Sequence, residues 1–255
     1  MPRYDFGSPR LFVDASLTAS ATVQLDRDQT HYLINVLRRQ AGDHVLVFNG
    51  KDGEWRASLI PSGKRAASLE LLEQTRAQGE PGDLHYLFAP LKHARLDYIV
   101  QKAVEMGASL LQPVMTRYSQ SERVNVARMQ ANTIEAAEQC GILHLPRVAS
   151  PLSLTALLER FEPDRLLVFC DEAAEVKDPV HALAAACAAL SSNPTKPSKL
   201  AVLIGPEGGF SEEEREAILR LPRVIRLALG PRILRADTAG VAALTLVQAV
   251  LGDWV

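Results

Sequence analysis

The sequence predicts a two-part α/β protein in which a small strand-rich module precedes a larger domain of alternating strands and helices. Short β-type runs bounded by turn residues fill most of residues 9–73. Residues 74–83 combine Gly, Pro and polar side chains without apolar periodicity, which is typical of a linker. Apolar strands then alternate with helices, a rhythm that indicates a parallel sheet with helices on both faces. We therefore expect domains at residues 1–76 and 80–255.

The composition is that of an ordinary globular protein. Hydrophobic residues make up 47% of the 255 positions and charged residues 23%, which excludes disordered, collagen-like and fibrous classes. The 28 Lys and Arg residues nearly balance the 30 Asp and Glu residues. Any site for a polyanion such as nucleic acid therefore has to be local.

Neither a metal site nor a membrane span is expected. The cysteines do not form a disulfide framework or a zinc pattern, and no histidines are paired at metal-ligand spacing. The cysteines are Cys140, Cys170 and Cys187, and the histidines are His31, His44, His85, His93, His144 and His181. Charges interrupt every apolar stretch well before the length of a transmembrane helix. These features predict a cytoplasmic protein with free thiols.

For the N-terminal module, the pattern predicts about five strands and one helix. Strands are expected at 10–14 and 22–26, on both sides of an Asn-Gly-Lys-Asp-Gly turn within 44–60, and at 66–73. Asp28 is a plausible N-cap for the helix, whose apolar residues fall on one face. Those apolar residues are Tyr32, Leu33, Val36 and Leu37. This content suggests a compact β-barrel-like module.

In the second domain, apolar runs predict the strands and longer amphipathic or Ala-rich stretches predict the helices. The strands are expected at 84–90, 109–115, 165–171, 199–205 and 223–229. The helices are expected to end near Gly107, to cover 126–141 and 182–190, to begin after Ser211, and to cover 237–251. Residues 192–198 are expected to form a loop.

The most distinctive segment is Leu203–Glu214, LIGPEGGFSEEE. A strand runs into a Gly-Pro-Glu-Gly-Gly turn, and Ser211 with Glu214 makes a capping box for the next helix. Glycines let a ligand approach the main chain, and open α/β sheets bind ligands at the carboxyl ends of strands. The segment matches neither the dinucleotide-binding fingerprint nor the P-loop, and its glutamates would repel a phosphate. A ligand here would be bound through a base or a sugar, and a tight turn without a ligand is the alternative.

A second segment, Leu229–Gly240, also begins with Gly-Pro after a strand. It carries Arg232 and Arg235 into a helix that Asp237 or Thr238 is placed to cap. If the two preceding strands are neighbours, the Gly-Pro loops form a cleft with arginines at its mouth, suited to an anion or a base edge. Solvated surface charges are the alternative.

A third stretch, residues 90–107, is basic. Lys92, His93, Arg95 and Lys102 lie along one helix and the turn before it. Their charges match the phosphate-contact role of basic helices, although a solvated face is the commoner explanation. Ser121, Glu122 and Arg123 precede the next helix and are candidates to cap it. Because nucleophile signatures are missing, any chemistry should depend on positioning a small-molecule donor.

Five motifs follow one another along the chain: HYLINVLR (31–38), QKAVEMG (101–107), EAAEQCG (135–141), LIGPEGGFS (203–211) and LGPRILRADTA (229–239). In this combination the chain resembles the bacterial 16S ribosomal RNA uracil-N3 methyltransferases of the SPOUT class. The resemblance implies a PUA-like β-barrel for RNA, a SPOUT α/β domain with a deep trefoil knot, and a homodimer built partly by the final helix. The implied cofactor is S-adenosyl-L-methionine, and the implied substrate is 16S rRNA, naked or in the assembled small ribosomal subunit.

The resemblance also implies roles for individual residues. Arg235 is expected to stabilise charge on the uracil or to bind it, and Arg232 to contact an RNA phosphate or the cofactor carboxylate. Glu207 and Asp237 are candidates for removing the N3 proton, with water as the alternative. The implied cofactor-binding residues are Glu172, Leu203, Ile204, Gly205, Pro206, Gly208, Gly209, Leu229, Gly230, Ile233 and Leu234. The implied RNA-binding residues are Arg38, Arg39, Lys92, Arg95, Lys102 and Arg123.

The chain departs from the family pattern in two places. Asp237 stands where the family usually has Glu, which shortens the acid by one methylene, and Ile142 follows Gly141 where Arg is usual. Two other functions stay open: a SPOUT methyltransferase acting on another RNA such as tRNA, and a non-catalytic RNA-binding ribosome assembly factor. The glycines of the two Gly-Pro loops argue against the second, because a decayed pocket does not need them.

Overall fold

The computed structural model describes residues 5, 7–63, 66–92, 94–120, 123–175, 178–190 and 199–254, with the backbone alone at 187, 189 and 190. His93, Ser121, Glu122, the side chain of Cys187 and the predicted loop 192–198 lie outside the described residues. The chain divides into two compact units. Unit 1 comprises Met1–Glu80 and Ile134–Leu145, and unit 2 comprises Pro81–Thr133 and Pro146–Val255.

Unit 1 is built on a five-stranded sheet in the order β1–β3–β4–β5–β2. The strands are β1 Arg10–Phe12, β2 Thr22–Gln24, β3 His44–Phe48, β4 Glu54–Pro61 and β5 Ala67–Arg76. β1 pairs with β3 in parallel, and the other pairs are antiparallel. Buried apolar side chains from each of these five strands pack together with Leu33 of the helical segment. The predicted strand-rich module with one helix is therefore confirmed.

The helix of unit 1 begins two residues earlier than predicted. α1 covers Arg27–His31 and continues directly into a π-helical turn, Tyr32–Val36. Asp26 Oδ1 accepts the Gln29 N–H at 2.8 Å, and the Gln29 side chain accepts the Asp26 N–H at 3.0 Å. This reciprocal capping box makes Asp26 the N-cap. The prediction of Asp28 is wrong, because Asp28 lies in the first helical turn.

The connection between the units is shorter than the predicted linker 74–83. β5 extends to Arg76, whose guanidinium forms a 2.6 Å ion pair with the buried Glu54 of β4. The next strand already begins at Asp83, which forms a 2.8 Å ion pair with Arg165. Residues at both ends of the predicted linker thus belong to strands. Backbone pairing with neighbouring strands and the two ion pairs extend β5 and β6 into the predicted linker.

Unit 2 contains a seven-stranded sheet in which β12–β10–β11–β6–β7–β8 are neighbours and β9 lies beside β7, with parallel pairings. The strands are β6 Asp83–Phe88, β7 Leu110–Met115, β8 Arg147–Val148, β9 Leu152–Ser153, β10 Leu166–Cys170, β11 Lys199–Ile204 and β12 Val224–Leu227. The remaining helices are α2 Ala94–Glu105, α3 Val126–Cys140, α4 Leu154–Glu159, α5 Pro179–Leu190, α6 Glu212–Leu219 and α7 Ala236–Val250. The predicted parallel sheet is confirmed, while the short β8, β9 and α4 were not predicted.

Helices cover both faces of this sheet, as predicted. Because successive strand residues point to opposite faces, Leu203 packs in one apolar cluster with Ile218 of α6. Its neighbour Ile204 packs in the other cluster with Leu244 of α7. α7 approaches the sheet closely at Gly240, where a Cβ would collide with the Tyr86 hydroxyl.

Two helix starts differ from the predicted caps. At α7 the N-cap position is Arg235, whose carbonyl accepts the Ala239 N–H at 2.8 Å, and no side-chain cap bond occurs there among the described residues. Asp237 lies inside the first turn, so the prediction that Asp237 or Thr238 caps α7 is wrong. At α3, Asn125 Oδ1 accepts the Arg128 N–H at 3.0 Å, which places the cap after Arg123. The predicted capping box at α6 is confirmed by the reciprocal bonds of Ser211 and Glu214.

Candidate functional site

Three strand ends of unit 2 meet around one cavity of ≈ 330 Å³. Its wall consists of residues 170–172 at the end of β10, residues 204–209 at the end of β11, residues 227–234 at the end of β12, and Ala236 and Ala239 of α7. The strands that precede the two Gly-Pro loops are not neighbours, because β10 lies between β11 and β12, so the condition stated for a shared cleft is not met. The Gly-Pro loops nevertheless face the same cavity, since both extend past the end of the central strand. The volume is that of a small-molecule pocket.

Most of the predicted cofactor-binding residues line this wall. They are Glu172, Ile204, Gly205, Pro206, Gly208, Gly209, Leu229, Gly230, Ile233 and Leu234, and the wall also includes Glu207 and Arg232. Leu203 does not line it, because its side chain points to the opposite face of β11 and packs against Phe210. Arg235 and Asp237 are also absent from the wall, although the adjacent Ala236 lines it.

The glycine positions of the first Gly-Pro loop leave little or no room for a Cβ. Gly209 has a φ of +68°, and a Cβ there would collide with Oε1 of Glu172. A Cβ on Gly205 would lie 2.5 Å from the Phe210 ring. In the second loop, Gly230 has a φ of +98°, and none of the described atoms lies within 4 Å of its Cβ position. The glycines of the first loop permit close packing, whereas Gly230 leaves main chain open to a ligand.

A buried carboxylate connects the cavity wall to the core. The Asp171 side chain has no solvent exposure and accepts hydrogen bonds from Arg226 at 2.7 Å and from Arg215 at 3.2 Å. Arg215 also donates to Glu172 Oε1 at 2.9 Å. One guanidinium thus joins the buried Asp171 to the wall residue Glu172. Sequence reasoning missed Arg215, which is separated from these carboxylates by more than 40 residues of chain.

A second arginine connects three elements beside the cavity. Arg95 Nη1 of α2 donates to Glu207 Oε1 at 3.1 Å, and Arg95 Nε lies 3.9 Å from Asp237 Oδ2 in the first turn of α7. Arg95 was predicted to contact RNA, yet its guanidinium contacts both carboxylates predicted to remove a proton. The tertiary structure therefore groups residues to which the sequence assigned separate roles.

The other predicted RNA-binding residues occupy different surroundings. In unit 2, Lys92 and Arg123 are exposed, and Lys102 forms a 2.6 Å ion pair with Glu105. In unit 1, Arg38 is exposed and has a φ of +55° just after the π-helical turn. Arg39 has a buried Nε with no hydrogen-bond partner in the described part of the chain. The structure thus places two of the six residues in unit 1 and four in unit 2.

Cys170 contributes an unreactive thiol to the wall. Burial, reinforced by the adjacent Asp171 carboxylate, raises the pKa of Cys170 to about 12. The thiol is therefore neutral near pH 7 and offers a soft apolar surface rather than a nucleophile.

Within the described ranges, no cluster of three or more His, Cys, Asp and Glu side chains could hold a metal ion. Over the same part of the chain, none of the helices combines the length and apolar character needed to cross a membrane.

Comparison with known proteins adds family and structural relatives. Residues 78–248 match a family model described as an RNA methyltransferase domain, and residues 25–72 match one described as an RNA methyltransferase PUA domain. Ribosomal RNA small subunit methyltransferase E of Synechocystis sp. is 32% identical over 247 residues, which cover 95% of this chain and 78% of the relative. The protein of the same name from Rickettsia conorii is 28% identical over 94% of each chain.

A solved structure is similar over the whole chain. The crystal structure of a ribosomal RNA small subunit methyltransferase E from Neisseria gonorrhoeae, bound to S-adenosyl methionine, matches with a TM-score of 0.79 and 26% sequence identity. The match covers 97% of this chain and 100% of that one.

Proposed function

This chain belongs to the RNA methyltransferase family, and on that premise we propose that it methylates N3 of a uridine in the 16S rRNA of the small ribosomal subunit, with S-adenosyl-L-methionine as methyl donor. The cavity at the ends of β10, β11 and β12 carries the proposal, because both Gly-Pro loops line it. The names of the relatives support small-subunit rRNA as the substrate, and the ligand of the solved relative supports the methyl donor. The choice of uridine N3 rests on the family resemblance.

The cavity residues fit this cofactor. Apolar side chains such as Ile204 and Leu229 suit the adenine, and the open main chain at Gly230 suits hydrogen bonds to its edge. Glu172 suits ribose hydroxyls, and Arg232 suits the carboxylate of the methionine moiety. When bound, the cofactor supplies an electrophilic methyl group on its sulfonium.

The chain's own residues must then prepare the acceptor base. Uracil N3 carries a proton that methylation replaces, so a base has to accept that proton while donors stabilise negative charge on the ring. Glu207 lies on the cavity wall and Asp237 one residue from it, with Arg95 between the two carboxylates. Glu207 or Asp237, or a water held by them, takes the proton, and Arg235 stabilises the ring charge.

RNA binding is divided between the two domains in this proposal. The domains are residues 1–76, PUA-like and barrel-shaped, and residues 80–255, the SPOUT domain. The proposed boundary near residue 78 is supported by the two matched family models and by the division into compact units after Glu80. The division differs in one segment, because Ile134–Leu145, inside the second proposed domain, belong to unit 1. Arg38 and Arg39 lie within the PUA match and are expected to contact rRNA phosphates. The bacterial substrate implies a cytoplasmic protein.

The knot and the homodimer belong to the same proposal and rest mainly on the family resemblance. A deep trefoil knot is a rare feature that local sequence patterns do not predict. The dimer has one further support: Ile233, on the cavity wall, is 97% exposed. A partner subunit that completes the site would remove this apolar side chain from water, as a bound ligand also would.

The first experiment is calorimetric titration of the purified protein with S-adenosyl-L-methionine, with NAD and ATP as controls. Saturable binding of the methionine cofactor alone is expected, followed by transfer of a radiolabelled methyl group to 30S subunits that lack the modification. Absence of binding in a folded, ligand-free protein would favour a non-catalytic RNA-binding assembly factor. Transfer to tRNA but not to 30S subunits would move the substrate to another RNA.

A further inference from the structure

β7 ends at Met115, and the next four residues form a tight turn with three hydrogen bonds. The Ser119 N–H donates to the Thr116 carbonyl at 3.1 Å. The Thr116 N–H donates to Ser119 Oγ at 2.9 Å, and the two hydroxyls lie 3.0 Å apart. The tip of the turn, Arg117 and Tyr118, therefore has a defined backbone conformation.

The turn is attached to the helix that follows the first Gly-Pro loop. The Arg117 N–H donates to Glu214 Oε1 at 2.8 Å, while Glu214 Oε2 accepts the Ser211 N–H at 2.9 Å. The same carboxylate thus caps α6 and holds the turn. This double attachment keeps the turn in register with the loop that forms the cavity wall.

Tyr118 is presented at the edge of that wall. A Cβ built on Gly208, a wall residue, would lie 3.1 Å from Tyr118 Cβ and 3.5 Å from Cγ. Although it is held there, Tyr118 stays 45% exposed. The guanidinium carbon of Arg117 lies 5.8 Å from the centre of the ring, a cation–π arrangement that further orients it. An ordered, exposed aromatic ring beside a ligand cavity is suited to a planar ligand.

We propose that Tyr118 is the stacking platform for the acceptor uracil, an inference that rests on the proposed function. N3 lies on the Watson–Crick edge, so the acceptor base must be unpaired, and unpaired bases are held by stacking on aromatic side chains. The charges around Tyr118 are balanced, because Glu213 pairs with Arg117 and Glu207 pairs with Arg95. The exposed ring beside the cavity is therefore the feature that selects a base.

The test is steady-state methylation of 30S subunits that lack the modification, at saturating S-adenosyl-L-methionine, by the unaltered full chain and three variants. Tyr118→Ala removes the ring, Tyr118→Leu keeps apolar bulk against Gly208, and Tyr118→Phe keeps the aromatic face without the hydroxyl. We expect kcat/KM for the subunits to fall about 5- to 150-fold in Tyr118→Ala and Tyr118→Leu, and to stay within about threefold in Tyr118→Phe. The calorimetric Kd for S-adenosyl-L-methionine should be unchanged in all of them.

Three results would overturn the stacking role while leaving the proposed function intact: full activity of Tyr118→Ala, equal activity of Tyr118→Leu and Tyr118→Phe, or a cofactor Kd weakened as much as kcat/KM. The second result would show that Tyr118 serves only to pack against Gly208. A different failure is absence of methyl transfer by the unaltered protein, which would overturn the proposed function and the stacking role together.

Discussion

At the scale of single residues, the absence of a side chain at Gly209 shapes the cavity. Its backbone is in the left-handed region, and the space that a Cβ would fill is taken by the Glu172 carboxylate. Gly42 of unit 1 has a similar φ of +84°, but none of the described atoms lies within 4 Å of its Cβ position. Alanine substitutions at these two glycines therefore distinguish the effect of backbone strain alone from that of strain plus a steric collision.

Gly209→Ala should weaken S-adenosyl-L-methionine binding at least roughly tenfold, because the new methyl group displaces Glu172 from the wall. Gly42→Ala should cost a similar strain energy, about 1–2 kcal/mol of unfolding free energy, without changing cofactor affinity. Calorimetry and urea denaturation measure the two quantities. Equal cofactor affinity in both variants would contradict the proposed cavity.

At the scale of secondary-structure elements, α6 does more than terminate the Gly-Pro loop. Its first turn carries three glutamates, and the arginine that follows them turns back toward the carboxyl end of β10. Arg215 there contacts the buried Asp171 and the wall residue Glu172. Farther along the helix, Arg220 makes an exposed i,i+4 ion pair with Glu216.

Arg215→Ala should lower the unfolding free energy by about 2 kcal/mol, because it leaves a buried carboxylate with fewer donors. It should also weaken cofactor binding, since Glu172 loses its support. Arg215→Lys should restore stability only in part, because an ammonium cannot reproduce the guanidinium fork. Arg220→Ala is the matched control and should cost less than about 1 kcal/mol with unchanged affinity. Identical effects of Arg215→Ala and Arg220→Ala would refute this role.

In unit 1, the strand pair β4–β5 contains a comparable buried carboxylate, that of Glu54. Burial alone would raise the pKa of Glu54, but hydrogen bonds from Arg76, Arg10 and Thr75 outweigh it and leave the pKa below its usual 4.5. Because the pKa is depressed in the folded state, the stabilisation is present above 4.5 and is lost as the pH falls through the lower folded-state value.

Glu54→Gln should therefore destabilise the protein by about 3 kcal/mol at pH 7, and the difference from the unaltered chain should shrink below the ordinary carboxylate pKa. Glu73→Gln, which removes an exposed partner of Arg56 on the same two strands, should cost less than about 1 kcal/mol at either pH. Urea denaturation at pH 7 and in mild acid checks both variants. A Glu54→Gln deficit that persists unchanged in acid would contradict the linkage.

At the scale of the whole molecule, a formal charge of −2 coexists with a proposed polyanionic substrate. The exposed basic residues Arg38 and Lys92 lie in different units, so a footprint on rRNA would be assembled from local contacts. Arg95, by contrast, is engaged with Glu207 and Asp237.

Affinity for a 16S rRNA fragment should fall as salt rises from about 50 to 200 mM, because each neutralised phosphate releases counterions. Arg38→Ala and Lys92→Ala should each reduce the slope of log affinity against log salt by about one. Arg220 is already paired with Glu216, so Arg220→Ala is the control and should leave the slope unchanged. Affinity that does not respond to salt would remove these residues from the RNA path.

The local pattern of the chain was sufficient for the two-part architecture, the parallel sheet and the two Gly-Pro loops. Apolar periodicity and turn residues act over a few neighbours, so β10, β11 and the capping box of α6 follow from nearby residues. The predicted N-cap of α1 is wrong although capping is also a local feature. Asp26 and Asp28 are both candidates by residue type, and only Asp26 forms the reciprocal hydrogen bonds with Gln29. The family resemblance added the cofactor and the substrate.

Only the tertiary structure decided which distant side chains meet. The order β12–β10–β11 brings both Gly-Pro loops to one cavity across an intervening strand. Arg95 contacts Glu207 across 112 positions of sequence, and Arg215 reaches Asp171 across 44. Such contacts depend on strand order and helix packing, which are set by the burial of the whole core. Local periodicity carries no information about these contacts. The sequence alone therefore determined the main elements and the Gly-Pro loops, and the tertiary structure decided which distant side chains meet at the site.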